Sequence, residues 1–171
     1  MDTRPTDHQA PPPSGYRVPL VTDQLFPDQS QTHYPPFVDS DGYSPIFLGS
    51  ALMERSIHPC KISPNLQPYT RVPYGGTEYA HHGRYDLLPF DPHTMEWVRT
   101  EHGRIPPGRR PIEGGYEEGG QKLYHAAASI NGCMVPGKTG EHLHGANIPF
   151  GGGEHTVHEN YDILCVLILL G

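Results

Sequence analysis

Lysine is scarce in this chain of 171 residues, and its placement is informative: Lys61, Lys122 and Lys138 are the full set. Two of them close a proline-x-lysine triplet, Pro59-Cys60-Lys61 and Pro136-Gly137-Lys138, at positions 77 residues apart. An acid stands at a matching distance upstream of each: Asp39 lies 22 residues before Lys61, and Glu117 lies 21 before Lys138. An ammonium and a carboxylate converging on one pocket offer donors and acceptors together, the complement of adjacent hydroxyls on a sugar. A neutral polyol suits such a site. The competing reading is structural: the lysine pairs with a neighbouring carboxylate to close its loop, and the acids cap glycine-rich turns.

The elements that must hold these residues come in duplicate. Val72-Pro73-Tyr74-Gly75-Gly76-Thr77-Glu78 returns as Ile148-Pro149-Phe150-Gly151-Gly152-Gly153-Glu154, and both copies run on to Tyr85-Asp86-Leu87-Leu88 or Tyr161-Asp162-Ile163-Leu164, 76 residues apart throughout. One such unit is a supersecondary element that cannot bury its apolar face without the other. Ile46–Ala51 and Leu123–Ala128 read as equivalent strands, and the offset falls from 77 at Lys61 to 76 at Val72, so the first copy carries one extra residue in a surface connection. His142-Leu143-His144 alternates and is expected to be a strand with both histidines on one face. Glu78 and Glu154 have an architectural explanation in tying down the Gly-Gly turns. Tyr74 and Phe150 have two open readings, stacking on a sugar or covering the strand end. Trp97, midway between the copies, is expected to plug the core between them.

Other motifs compete less well. Gly132–Thr139 satisfies the phosphate-loop expression G-x-x-x-x-G-K-[ST] in full. A phosphate loop must open a helix, and the glycines and proline that follow allow none, so nucleotide binding is the distant third reading. Twelve histidines come without the cysteine spacing of a structural zinc site, and no nucleophile elbow is present. The chain is therefore read as non-enzymatic, with no catalytic residue, cofactor or metal ligand assigned.

Composition sets the frame. Twenty glycines and twenty prolines interrupt helices everywhere and suit short strands joined by tight turns, so the fold class is all-β. Two tandem repeats, about 37–90 and about 114–165, are expected to form one pseudo-two-fold antiparallel β domain over 37–171. A disordered proline-rich tail over 1–36 precedes it. A net charge of -7 offers no basic stripe to phosphates, which argues against nucleic acid and anionic membrane surfaces. Three cysteines without C-x-x-C spacing read as reduced thiols, and the N-terminus lacks the apolar region of a secretory signal, so a cytoplasmic protein without a membrane span is expected. The apolar run Val166–Leu170 is expected to be covered rather than left as an open edge.

With Gly114-Gly115-Tyr116, Leu123-Tyr124, Pro136-Gly137-Lys138, Ile148-Pro149-Phe150-Gly151-Gly152, Glu154 and Tyr161-Asp162-Ile163-Leu164 in this order, the chain resembles the DM-nine tandem-repeat family over about residues 37–165. The resemblance implies a β-rich, pseudo-symmetric unit; members include mannose-binding lectins that dimerise and act in immune recognition, and intracellular proteins without a settled activity. It maps the sugar-binding pairs onto Lys61 with Asp39 and Lys138 with Glu117, and implies mannose-type glycans and a homodimeric partner. The alternative it leaves open is an intracellular structural or interaction protein without sugar binding. Glutamate at 117 departs from the family's aspartate, and Cys60 from its glycine.

Overall fold

The computed structural model describes residues 16–168, and these are nearly all β. The first half supplies β1 (Val18–Val21), β2 (Phe37–Val38), β3 (Pro45–Leu52), β4 (Ile57–Ile62), β5 (Thr70–Tyr74), β6 (Thr77–His81) and β7 (Arg84–Leu88), with one short helix, α1 (Gln29–Thr32), between β1 and β2. The second supplies β8 (Met95–Thr100), β9 (Glu113–Tyr116), β10 (Lys122–Ile130), β11 (Cys133–Gly140), β12 (Gly145–Phe150), β13 (Gly153–Val157) and β14 (Tyr161–Val166). Two-residue glycine turns connect β5 to β6 and β12 to β13. Gly75 and Gly76, and likewise Gly151 and Gly152, all have positive φ (60 to 85°), the backbone a tight hairpin between right-twisted strands requires.

The order of pairing reads the same from either end. Neighbouring strands run β1-β7-β3-β4-β5-β6 and then β13-β12-β11-β10-β14-β8, so equivalent strands meet at β6 and β13 in the middle. All the pairs are antiparallel. β9 pairs with both β10 and β4, which closes the path into a barrel-like circuit. Lys61 lies opposite Arg71 and Lys138 opposite Asn147, so the offset has already changed from 77 to 76 across the hairpin, and the extra residue of the first copy lies in the Ser63–Tyr69 connection.

Each half buries its own apolar cluster. Phe47, Ala51, Cys60, Ile62, Val72, Tyr85 and Leu87 pack in one, and Ala126, Ala128, Val135, Ala146, Ile148 and Tyr161 in the other. A third cluster joins them, with Leu48 and Leu88 from the first half meeting Leu164, Met95 and Ile112. Trp97 packs against this joint, stacked 6.2 Å from Phe90 and 5.4 Å from Phe37. All three cysteines are free and buried.

Several sequence expectations change. Of the tail expected over 1–36, residues 1–15 lie outside the described residues, but from Val18 onward the chain is part of the sheet. β1 pairs with β7 as β8 pairs with β14, and Val18 faces Leu87 in the register in which Val98 faces Ile163. Low hydrophobicity hid this strand, because one buried valine and one buried arginine hold it rather than an apolar run. His142 and His144 do not share a strand face: Glu141–Leu143 form a 3-10 turn and His144 adopts left-handed backbone, returning the chain so that Gly140 and Gly145 can pair. Three alternating residues are too few to separate a strand from a turn. The phosphate-loop segment is a turn followed by β11, with no helix after it. At the C-terminus Val166 pairs with Met95 and the Leu167 amide donates to Thr94, whereas Ile168 is 45% exposed and 169–171 lie outside the described residues. No helix among the described residues is long and apolar enough to cross a membrane.

Candidate functional site

The two repeat lysines sit on adjacent central strands, Lys61 on β4 and Lys138 on β11, and both are buried. Each meets the glutamate that ends its own copy of the glycine hairpin and the aromatic ring that precedes the other copy's glycines. Lys61 contacts Glu78, donates to the Pro149 carbonyl at 3.1 Å and lies 5.8 Å from the Phe150 ring centre. Lys138 is 3.9 Å from Glu154 and 5.6 Å from the Tyr74 ring centre. Both sites therefore draw on both repeats, and neither exists in half of the chain.

The glutamates do double duty. The Gly76 amide donates to Glu154 at 2.9 Å, and the Gly152 amide donates to Glu78 at 3.1 Å, so each carboxylate holds the turn of the opposite repeat with one oxygen and faces its own repeat's lysine with the other. Backbone bonds reinforce the clamp, from the Glu78 amide to Gly152 and from the Glu154 amide to Gly76. The turn-tying role read for these glutamates is present, but across the repeats rather than within them.

Around Lys138 the site is polar. The lysine donates to His58 Nδ1 at 3.1 Å, which places the imidazole proton on Nε2, and that nitrogen donates to Ser56 Oγ at 3.0 Å. Glu117 approaches His58 Nε2 at 3.8 Å and accepts from His142 at 2.7 Å. Desolvation lowers the Lys138 pKa, with Glu117 and Glu154 opposing it, and burial with the Lys138 charge pushes His58 down to about 3. Beside this group opens a cleft of about 400 Å³ whose lining includes Ser56, Tyr74, Tyr79, His82 and Glu118. Tyr74 packs edge-on to His58, and Tyr79 packs edge-on to Tyr74.

The sequence-derived pairs fare differently. Glu117 belongs to the Lys138 surroundings, through His58 and as one of the charges acting on the lysine. Asp39 accepts from the Ser40 amide at 2.7 Å in its own exposed turn, and it shares with Lys61 an influence on the Cys133 thiol, of opposite sign and secondary to burial. The direct partners of the lysines are Glu78 and Glu154. His58 was not singled out in the sequence, although a signal existed: at the repeat offset of 77 it replaces Val135, and Ser56 replaces Cys133.

The DM9 repeat model matches residues 39–157. No curated protein sequence matches the chain. Among solved structures the fold is similar to the nematode sperm cell motility protein MFP2B, with a TM-score of 0.64 at 16% identity, over 95% of this chain and 50% of that one. The chain thus spans about half the length of that protein.

Proposed function

The chain belongs to the DM9 repeat family, and on that premise we propose that it is a carbohydrate-binding module that takes mannose or another vicinal diol at its lysine sites without turning it over. The observation that carries this reading is the composition of each site. A buried ammonium, a carboxylate and an aromatic ring from the opposite repeat converge within about a sugar's width, and a pyranose offers hydroxyls to the first two and an apolar face to the third. A homodimer makes weak single sites effective, since linked sites can exceed one site's affinity by ~10²–10⁴.

Calorimetry with methyl mannoside tests the reading. Wild type binds, whereas Lys61→Met/Lys138→Met and Tyr74→Ala/Phe150→Ala do not, with the second pair guarding against a folding defect in the first. Equal binding by all three, or none by any, defeats it. Light scattering shows whether the binding species is a dimer.

The rival reading is a structural or interaction protein, and one observation favours it: Lys61 is satisfied inside the chain by Glu78 and the Pro149 carbonyl, as a purely architectural lysine would be. Failure of every glycan on an array to bind wild type would put this reading first.

A further inference from the structure

The two lysine sites are built on one plan and yet hold their amines differently. Lys61 rests directly on Glu78 and a backbone carbonyl. Lys138 stands 3.9 Å from its equivalent glutamate and spends a donor on His58 instead. The cause lies three residues upstream. The position of His58 in the first repeat is Val135 in the second, and that of Ser56 is Cys133. A valine offers no acceptor, so Lys61 has only the carboxylate to turn to. His58 does offer one, and its ring is fixed for the purpose, because Ser56 takes the Nε2 proton and leaves Nδ1 free to accept.

We infer that the chain has one binding-competent sugar site, at Lys138, and that His58 is the residue that makes it so by drawing the ammonium off Glu154, while the Lys61 site is held shut by its own ion pair. This rests on the carbohydrate reading given above. A buried ammonium with a neutral acceptor at 3.1 Å and its nearest carboxylate at 3.9 Å keeps donors for a ligand oxygen. The displaced Glu154 and the neighbouring Glu117 supply acceptors for the ligand's own hydroxyls. The cleft that meets Ser56 and Tyr74 provides the approach, and Tyr74 and Tyr79 line it as faces for a ring. At Lys61 the same donors are already occupied.

The charged and titratable groups around His58 are Lys138, Glu117 and, through Glu117, His142. Lys138 opposes protonation of the ring, and burial adds to this, so the imidazole is neutral and accepting through the ordinary range of pH. A protonated ring has no lone pair on Nδ1 and would release the lysine.

Four chains titrated with methyl mannoside test the inference. Wild type is expected to bind one sugar per chain. Lys61→Met keeps that affinity within about twofold, as a site that takes no part should. His58→Val, which copies the second repeat's residue into the first, loses about tenfold or more, the loss expected for a hydrogen-bonding arrangement removed. Val135→His raises the stoichiometry to two. Two sites in wild type, or a loss with Lys61→Met equal to that with His58→Val, overturns the inference and leaves the carbohydrate reading standing. The His58 contact is also read without any sugar. Spectra of ¹⁵N-histidine protein should show a neutral ring protonated on Nε2 down to about pH 5, and a ring that titrates near its ordinary 6.5 overturns the inference even if no glycan binds.

Discussion

His58 and His125 are neutral in the folded protein for the same reason, burial beside a cation, with Lys138 facing one and Arg17 the other. A histidine whose folded pKa lies below its unfolded value lets the unfolded chain bind the extra proton. Its stabilising contribution is therefore complete above the unfolded pKa and is lost as pH falls. For His58 the window runs from 6.5 down toward about 3, and within it one proton is worth about 1.4 kcal/mol per pH unit. Urea denaturation between about pH 6 and pH 5 keeps the carboxylates mostly charged and isolates the histidines. Stability should fall across that interval in wild type and fall by about 1.4 kcal/mol less per unit in His58→Asn. Parallel curves for the two proteins would mean that His58 titrates normally when folded.

Strands explain which of these residues the sequence revealed. The glycine hairpins, the lysine strands and the tyrosine strands were legible because duplication marks them twice, and β3, β4, β10 and β11 lie where the repeat puts them. β1 carries no such mark. Its anchor, Arg17, donates to Ser50 at 2.9 Å and to the Glu113 carbonyl at 3.0 Å and lies 2.9 Å from His125, three partners from three different strands. Propensity and pattern give no weight to one arginine whose partners are remote in sequence, so the strand read as tail. Arg17→Ala removes a buried charge-assisted network and should cost about 3 kcal/mol, measured by urea denaturation. Arg17→Lys restores the charge without the forked geometry and should recover less than half of this. If β1 were merely laid on the surface, both variants would unfold with wild-type midpoints. Gly49 poses a sharper demand on β3: an added Cβ would sit 2.1 Å from the Asp86 carbonyl oxygen, a backbone atom of β7 that cannot swing away. Gly49→Ala should destabilise by about 3 kcal/mol for that reason.

The whole molecule is organised around the exchange of glutamates between its halves. Glu78 and Glu154 belong to different repeats and face different lysines, yet each holds the other repeat's turn, and the two turns meet where β6 pairs with β13. What the sequence showed as two copies of a site is therefore one shared joint, which periodicity could not reveal because a repeat pattern records equivalence and says nothing of exchange. Coupling follows from that geometry. Loss of one clamp should loosen the turn that positions the other glutamate, so Glu78→Gln and Glu154→Gln in urea should each cost ~1–3 kcal/mol. Their double variant should depart from the sum by at least ~0.5 kcal/mol, as residues sharing one network do. Trp97, packed at the joint between the halves, and far-UV circular dichroism should report the same single transition in wild type, since neither half can lose its turn contacts alone. Additive costs with two separate transitions would show instead that the halves fold independently and that the lysine sites, built from both, form only when the finished halves dock.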